Sequence, residues 1–381
     1  MKVARFDAYP VRVPYRQNEQ SSVVSTAGVS AIIVRIETDD GLVGWGECDT
    51  AADTASVEAA VRSAMPFVLG CDPWRGEQVF DRVLVEGRWR YQSMTASLAF
   101  AGIDMALLDI CGKAAGQPVH RLLGGARREE VDYFYYLAWG TPDEVAAQCR
   151  EGVERGYSVF YLKVGKDRAQ EEAMLEAVRS TIGPERRLRI DANQSWTLPE
   201  AERILGDWHV RFDIDFAEAP VPIEPVESMQ ILAGRTEAPL CVNEGLWGEA
   251  EALRLILARS APYLCFSPFY VGTMRRFLTL CRTADRLGQV VCKHTWGELG
   301  LTAAAGQHAM LAAPATCLGH QQTAQYLADD IVSTPIPIAT GPRWGLIDQP
   351  GLGVTVDEDK VRRYHEDYRR QGEYARARPR A

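Results

Sequence analysis

The chain has 381 residues, of which 46% are hydrophobic and 24% are charged, and its formal net charge is −9. This length exceeds one ordinary domain and suits a barrel of about 250 residues with a second domain beside it. The acidic balance argues against a nucleic-acid-binding surface. The first residues carry no apolar segment of the signal-peptide type, and no apolar run reaches the roughly 20 residues of a membrane helix. We therefore expect a cytoplasmic protein that does not bind a membrane.

The sequence contains nine cysteines, an odd number, and no two of them are spaced as Cys-x-x-Cys. Several lie in apolar runs, so we expect buried free thiols in a reducing compartment. The nine are Cys48, Cys71, Cys111, Cys149, Cys241, Cys265, Cys281, Cys292 and Cys317.

The first 50 residues predict antiparallel strands. Residues 31–38 have the pattern of a strand, Asp39-Asp40-Gly41 is a turn, and residues 42–47 are the return strand of a hairpin. The polar stretch from Tyr15 to Gly28 is predicted to be a mobile loop of the lid type, and Cys48 to Asp53 a second lid.

Residues 53 to about 125 predict helices. Asp72-Pro73-Trp74 begins one of them, because proline is well tolerated in a first helical turn. Thr95 to Gly116 is an apolar helix that carries two acids, Asp104 and Asp109. We expect these acids to form helix-terminus or inter-domain interactions and not to bind a ligand.

From residue 131 onward, short apolar strands alternate with amphipathic helices. This order predicts eight parallel strands in a closed sheet. The predicted strands are residues 131–138, 157–164, 188–192, 212–217, 240–243, 262–267, 290–294 and 316–319.

Four of these strands end in a charged residue at nearly constant spacing. Lys163, Asp191, Glu218 and Glu244 follow one another at intervals of 28, 27 and 26 residues. In a β/α barrel, the carboxyl ends of the strands meet at one mouth. Three carboxylates brought together there repel one another unless a cation lies between them, and an all-oxygen ligand set favours Mg²⁺ or Ca²⁺ over zinc.

With these motifs the chain resembles the enolase superfamily, in the mandelate racemase and muconate-lactonizing enzyme group. The resemblance covers nearly the whole length, and the ordered set of motifs is far more specific than any one of them. The segments that carry it are residues 103–110, 122–125, 162–165, 190–193, 217–220, 243–244 and 350–353.

The resemblance implies an α/β fold, a modified TIM (β/α)8-type barrel with an N-terminal α+β capping domain. It places the capping domain at residues 1–126, completed by a C-terminal segment from about 345 to 381, and the barrel at residues 127–344. It also implies that a base removes the proton next to a substrate carboxylate, with Mg²⁺ stabilising the charge that develops. The metal ligands would be Asp191, Glu218 and Glu244.

Lys163 is the predicted base, because it ends the second barrel strand beside the metal, where a cation should depress its pKa. Lys166, three residues on, is expected to face solvent. His294 ends the seventh strand and is expected to act as a second base or as the acid that protonates a leaving hydroxyl. Tyr161 is a third catalytic candidate. The candidates for substrate binding are Asn193, His320, Ser267, Trp45 and Arg16.

The chain departs from the family in two places. Many members carry Lys-x-Lys on the second strand, and here Tyr161 holds the first of these positions. Members with a catalytic histidine on the seventh strand usually have an orienting Asp on the sixth. Here residues 265–270 contain no acid, and Ser267 occupies roughly that place. A histidine without a carboxylate partner loses basicity and a fixed tautomer, which weakens a base role for His294 but not an acid role.

Racemisation needs bases on both faces of the α carbon, whereas dehydration needs one base and one acid. The sequence therefore favours a Mg²⁺-dependent dehydratase (a hydro-lyase) acting on a sugar acid. The alternatives are racemisation, epimerisation or cycloisomerisation of a carboxylic acid on the same site, and a metal-binding barrel that has lost turnover. We expect a small-molecule carboxylate as substrate and self-association into a homo-oligomer.

Overall fold

A computed structural model of the protein describes residues 1–21, 24–50, 53–88 and 93–375. Within these residues the chain opens with an antiparallel sheet. Its strands are β1 (Val3–Gln20), β2 (Ser25–Thr38) and β3 (Val43–Asp49), in the order β1-β2-β3. The predicted hairpin is confirmed, since β2 and β3 pair on either side of the turn that contains Gly41. Gly41 has a φ of 86°, which glycine adopts without strain.

The predicted loop from Tyr15 to Gly28 is wrong for most of its length. The hairpin of β1 and β2 continues through it, with Glu19 paired to Thr26 after an irregularity that begins at Pro14. The polar composition of these residues did not indicate strands. Pairing between the two strands stabilises them, and no alternating apolar pattern marks them in the sequence. The part of this prediction at residues 22 and 23 lies outside the described residues.

The second predicted lid, Cys48 to Asp53, begins inside a strand. Cys48 and Asp49 belong to β3, and Thr50 is buried directly after it. Residues 51 and 52 lie outside the described part of the chain.

Four helices in the described residues follow the sheet. They are α1 (Thr54–Val68), α2 (Gly76–Val85), α3 (Ser93–Ala115) and α4 (Val119–Leu122), with a 3-10 turn at Pro73–Arg75 before α2. The helix α3 packs directly beneath β3: a Cβ atom on Gly46 would lie 1.8 Å from the carbonyl oxygen of Gly102. This close approach requires glycine at position 46.

The helix α3 is also the one helix in the described residues whose length and composition would let it cross a membrane. Its most apolar window, within Met94–Ala115, is 89% buried inside the protein. It is therefore the core helix of the first domain. A helix that other elements surround on every side is apolar on every side.

The barrel sheet in the described residues has seven parallel strands in sequential order. The strands are β5 (Tyr135–Leu137), β6 (Val159–Lys163), β7 (Arg187–Asp191), β8 (Ile214–Glu218), β9 (Leu240–Val242), β10 (Tyr263–Phe266) and β11 (Val290–Lys293). The helices are α5 (Pro142–Glu154), α6 (Arg168–Ile182), α7 (Leu198–Phe212), α8 (Glu227–Ala233), α9 (Glu249–Ala258), α10 (Pro268–Val271), α11 (Met274–Arg286) and α12 (Gly300–Ala312). A separate antiparallel pair joins β4 (Glu130–Asp132) to β12 (Arg343–Gly345).

The eighth predicted strand, residues 316–319, is not a regular strand. This segment closes the barrel through a few backbone hydrogen bonds on each side. Val291 N donates to Ala315 O (3.1 Å) and Cys317 N to Val291 O (3.2 Å), while His320 N donates to Asp132 O (2.9 Å) and Phe134 N to His320 O (3.0 Å). The buried guanidinium of Arg189 instead takes the carbonyl oxygens of residues 318 and 319, each at 2.7 Å. Because those acceptors are occupied by a side chain, they are lost to a regular strand ladder.

The last helix in the described residues is α13 (Glu358–Gln371), which packs on β1. The basic composition of residues 369–381 predicts a solvated tail. In the described part, residues 369–375 are exposed except for the half-buried Tyr374, but the segment is attached to the first domain. Tyr374 N donates to Ser30 Oγ (3.0 Å), and Glu373 accepts from the backbone and the hydroxyl of Thr54 (3.0 and 2.8 Å). Residues 376–381 lie outside the described part. These contacts support our proposal that the C-terminal segment completes the first domain.

Buried acids tie the first domain to the barrel and to the C-terminal segment. Asp104 accepts from Met274 N at the start of α11 (2.9 Å), and Asp109 accepts from Leu352 N (2.9 Å). Both acids therefore make the structural interactions that the sequence predicted for them. Glu47 of β3 accepts from Leu299 N (2.8 Å) and Thr302 N (3.0 Å) at the start of α12.

The buried position of Glu47 generates a prediction for stability against pH. Burial raises the pKa of Glu47 from 4.5 to about 8. Between these values the folded protein holds a proton that the unfolded chain releases, so this residue makes the free energy of unfolding fall as the pH rises. Glu47→Gln cannot titrate and should reduce that fall, by up to about 1.4 kcal/mol per pH unit.

Urea unfolding at several pH values between 5 and 8 measures this slope for the wild type and the variant. Glu129→Gln, at an exposed position, is the matched control and should keep the wild-type slope. An unchanged slope in Glu47→Gln would show that Glu47 is ionised in the folded protein.

Candidate active site

A cavity of about 410 Å³ lies at the carboxyl ends of the barrel strands. Lys163, Asn193, Glu244 and His294, all predicted from the sequence, line its barrel side. The N-terminal sheet and the C-terminal segment supply the other side, through Glu19, Asp49, Thr50, Glu373 and Tyr374.

Lys163 lies at the end of β6, in register with Asp191 of the neighbouring strand β7. Its Nζ is 2.5 Å from Asp191 Oδ2, and the Tyr161 hydroxyl donates to the same oxygen at 2.6 Å. Burial alone would lower the pKa of Lys163, but the carboxylates of Asp191 and Glu218 outweigh it and hold the pKa above its ordinary value. The pKa depression that we predict for this lysine concerns the metal-loaded site.

Asp191, Glu218 and Glu244 end or follow β7, β8 and β9, three neighbouring strands. Asp191 and Glu218 are both 1% exposed and lie opposite each other in the sheet register. Burial, and then the negative charge of Asp191, raise the pKa of Glu218 well above its ordinary value, and the same two causes raise the pKa of Glu244 to about 7. The cluster therefore holds more negative charge than the protein around it can compensate.

Three buried oxygen atoms of this cluster have no hydrogen-bond partner among the described residues: Glu218 Oε1, Glu244 Oε2 and Asn193 Oδ1. Leaving such atoms buried without a partner is costly. A hard cation with oxygen ligands would satisfy them, so the donor set at this mouth fits Mg²⁺.

The backbone turns sharply after two of the acids. Asn193 and Ala219 have φ values of 46° and 42°, in the left-handed region, which costs non-glycine residues of order 1 kcal/mol or more. The turn brings Asn193 N to 2.8 Å from Asp191 Oδ1, and it places the Asn193 amide 3.5 Å from Glu244 Oε1. The strain therefore helps to fix the geometry of the acid cluster.

His294 follows β11, at one edge of the barrel sheet, whereas Lys163 ends β6, near the other edge. It is 3% exposed, and its Nδ1 lies 3.1 Å from the hydroxyl of Tyr270 in α10. The two rings stack with their centroids 5.2 Å apart. Burial, and then the positive charges of Lys163 and Lys293, lower the pKa of His294 well below its ordinary value. His294 is therefore neutral.

The structure does not bring four of the predicted substrate-binding residues to the cavity, whose described lining they do not join. Ser267 donates from its hydroxyl to the carbonyl oxygen of His294 and so supports the end of β11. The ring of Trp45 faces Arg35, and Arg16 is exposed.

His320, the fourth, lies inside the barrel, where its Nδ1 accepts from Lys293 N at 2.9 Å. A ring nitrogen of His320 and the Sγ atoms of Cys292 and Cys317 lie within 4.8 Å of one another, which is close enough to consider them as metal ligands. Because Nδ1 accepts a hydrogen bond, the ring proton must be on Nε2, which opposes metal binding there. The nine cysteines are free, as predicted.

Sequence reasoning missed several residues of the site. Gln321 donates to Glu218 Oε2 at 2.6 Å, and its position directly after the last barrel segment could have identified it. Tyr270 lies in a short helix beyond β10, a region in which the family resemblance implies an acid or a lysine. The chain gives no local indication that Glu373 and Tyr374 return to the cavity.

The sequence matches two family models. Residues 6–124 match the mandelate racemase / muconate lactonizing enzyme N-terminal domain, and residues 144–360 match the enolase C-terminal domain-like family. The chain therefore belongs to the mandelate racemase and muconate-lactonizing enzyme group of the enolase superfamily, and it is an enzyme with a modified TIM barrel and an N-terminal capping domain.

Curated relatives match over most of their length. The chain is 28% identical to the N-succinyl-L-Arg/Lys racemase of Bacillus cereus (95% of this chain, 97% of that protein). It is 29% identical to the D-galactarolactone cycloisomerase of Agrobacterium fabrum (87% and 90%). An enolase from Thermobispora bispora, solved with magnesium and formate, superposes with a TM-score of 0.89 at 25% identity, over 99% of this chain and 95% of that one. Other relatives are epimerases and galactonate dehydratases, so the family shares a scaffold across several reactions.

Proposed function

We propose that the protein removes the proton α to a substrate carboxylate, with Lys163 as the base and Mg²⁺ as the cofactor, and that it dehydrates a sugar acid. The observation that carries this proposal is the contact of Lys163 with a buried carboxylate cluster at the edge of a cavity of about 410 Å³. A cavity of this volume suits a small organic acid.

The metal ligands in this proposal are Asp191, Glu218 and Glu244. Tyr161 and Gln321 would hold the first two in place, through their hydrogen bonds of 2.6 Å each. When bound, Mg²⁺ would coordinate the substrate carboxylate, stabilise negative charge on its oxygens and depress the pKa of Lys163. The magnesium in the Thermobispora bispora neighbour supports this choice of metal.

The reaction begins with a proton transfer to Lys163. The Cα–H bond breaks, the proton moves to the neutral amine at Nζ, and the electron pair stays on the substrate as an enediolate. In dehydration the bond between the β carbon and its hydroxyl then breaks, and the hydroxyl leaves as water with one added proton. Two cavity groups are candidates for supplying that proton, Lys163 itself and His294, and the hydrogen bonds around His294 decide between them.

A second candidate function is racemisation or epimerisation of a carboxylic acid, which the racemase and epimerase relatives favour. It requires a second base on the face of the substrate opposite Lys163. Of the predicted residues, His294 is the candidate, because it follows β11, at the edge of the sheet away from β6.

We also propose that the enzyme acts in the cytoplasm and self-associates. The bacterial enzymes among its relatives support the first statement.

The metal assignment predicts opposite effects of Glu218→Gln with and without Mg²⁺. Without Mg²⁺ the variant should unfold at a higher temperature than the wild type, because the substitution removes one buried like charge. Addition of Mg²⁺ should stabilise the wild type, by about 2.7 kcal/mol at a hundredfold excess over Kd, and should leave the variant nearly unchanged.

Thermal unfolding in EDTA and in a Mg²⁺ series measures both effects. Glu227→Gln, at an exposed position of α8, is the control and should respond as the wild type does. A full Mg²⁺ response in Glu218→Gln would remove Glu218 from the metal site.

The role of Lys163 predicts that Lys163→Met stops α-proton exchange. Proton NMR in D₂O with Mg²⁺, against a panel of sugar acids and other α-substituted carboxylates, follows the C2 proton. In the wild type we expect loss of that signal together with a new 3-deoxy methylene group. In Lys163→Met we expect exchange to fall by at least about 10²-fold, the lower range for loss of a general base.

Lys166→Met is the matched control, since Lys166 contacts the Trp139 ring (4.8 Å) and Gln20, and is not among the residues that line the described cavity. It should retain exchange. Deuterium at C2 without elimination would favour the racemase candidate. Exchange that persists in Lys163→Met would contradict the assignment of the base.

A further inference from the structure

Asn243, Tyr270 and His294 form a buried chain of hydrogen bonds that ends at the cavity. Asn243 Nδ2 lies 2.7 Å from the carbonyl oxygen of Cys265 and 3.3 Å from the Tyr270 hydroxyl. That hydroxyl lies 3.1 Å from His294 Nδ1. Asn243, Tyr270 and His294 are 3%, 0% and 3% exposed, so water has little access to the chain.

The direction of these hydrogen bonds follows from the first acceptor. A backbone carbonyl can only accept, so the group of Asn243 that faces Cys265 must be its NH₂. The same NH₂ group has a second hydrogen and donates it to the oxygen of Tyr270. Among the described residues, His294 Nδ1 is the one remaining hydrogen-bond partner of the Tyr270 hydroxyl. The hydroxyl hydrogen has no other acceptor there, so we assign it to the hydrogen bond with Nδ1.

A nitrogen that accepts a hydrogen bond carries no proton. His294 is neutral, because burial and the charges of two lysines lower its pKa well below the ordinary value. The single ring proton must therefore be on Nε2. Nε2 has no partner among the described residues, and His294 lines the cavity.

We infer that Tyr270 is a positioning residue that holds His294 as the Nε2–H tautomer, and that His294 donates a hydrogen bond to a substrate oxygen without removing or delivering a proton. The tautomer rests on the hydrogen bonds alone, whereas its consequence for the reaction rests on the proposed function. A neutral imidazole can serve as such a donor to a developing oxyanion, and an Nε2 that already carries a proton cannot act as a base.

This assignment leaves Lys163 as the one proton-transfer group of the predicted pair. Lys163 takes the α proton, and the ammonium formed returns a proton to the departing β-hydroxyl, which leaves as water when its C–O bond breaks. Atoms and electrons balance without another donor. Delivery from His294 would require an imidazolate, or a tyrosinate at Tyr270. Burial opposes the latter, since it raises the pKa of Tyr270 well above its ordinary value.

The tautomer is measurable without substrate or metal. Two-dimensional ¹⁵N–¹H correlation spectra of the ¹⁵N-histidine-labelled protein distinguish a protonated from an unprotonated ring nitrogen, and His294→Gln identifies the resonances that belong to His294. We expect a protonated Nε2 and an unprotonated Nδ1 in the wild type. A protonated Nδ1 would overturn the inference, whether the ring is the other tautomer or the imidazolium.

Tyr270→Phe tests the positioning role, because it removes the hydroxyl and keeps the ring that stacks on His294. The His294 ¹⁵N shifts should move toward a mixture of tautomers. Tyr157→Phe also removes a buried hydroxyl, one without a partner among the described residues, and should leave those shifts unchanged. Unchanged shifts in Tyr270→Phe would show that Tyr270 does not set the tautomer.

The donor role is tested by two substitutions of His294 in the D₂O exchange assay. The amide of His294→Gln can donate from nearly the position of Nε2, so α-proton exchange should stay within about tenfold of the wild type. His294→Ala should lose about 10²–10³-fold, the usual cost of one donor to a developing oxyanion. An equal and larger loss in both variants would indicate proton transfer by His294. If the wild type exchanges no compound of the panel, the proposed function fails, and the NMR spectra still decide the tautomer.

Discussion

The mutual repulsion of three acidic side chains at the barrel mouth is the constraint on which the site depends. Two buried acids elsewhere are matched to donors: Asp109 accepts from two backbone N–H groups and from Lys113, and Glu47 accepts from two backbone N–H groups. At the mouth, oxygens of Glu218 and Glu244 have no such partner among the described residues. Ordinary folding forces would separate these acids or neutralise them. The pairing of β7, β8 and β9 holds these acids together. Contacts within the described residues do not offset the free-energy cost of this arrangement, which is what we expect of a site that binds a cation.

The rest of the molecule closes this mouth. The parallel sheet fixes the acids, while the cavity wall opposite them comes from the N-terminal sheet and from residues that follow α13. Glu373 and Tyr374 are attached through Thr54 and Ser30 of the first domain. The acid cluster and the opposite wall of the cavity therefore lie on separate parts of the chain. Such an arrangement lets the substrate change while the proton chemistry stays the same.

Much of this was predictable from the sequence, because four of the predicted barrel strands end at a charged residue at nearly constant spacing. The spacing of Lys163, Asp191 and Glu218 predicted neighbouring strand ends, and the pairing of β6, β7 and β8 places them there. The failures share a cause: both segments depend on contacts that the apolar pattern of the sequence does not indicate. Arg189 takes the carbonyl oxygens that the eighth strand would need, and the hairpin of β1 and β2 extends through residues whose polarity indicated a loop. No local pattern reports either contact.

The absence of an acid on the sixth strand illustrates the same limit and shows what replaces it. A carboxylate can only accept, so beside a histidine it takes the proton of Nδ1 and leaves Nε2 free to act as a base. A hydroxyl both donates and accepts. Once Asn243 occupies the oxygen of Tyr270, the hydroxyl proton goes to Nδ1 and the ring proton of His294 moves to Nε2. The same histidine, on the same strand end, then changes from an acceptor of protons to a donor of hydrogen bonds. In the mechanism that we propose, the direction of a single hydrogen bond would therefore decide whether His294 can act as a base, which neither the fold nor the identity of His294 reveals.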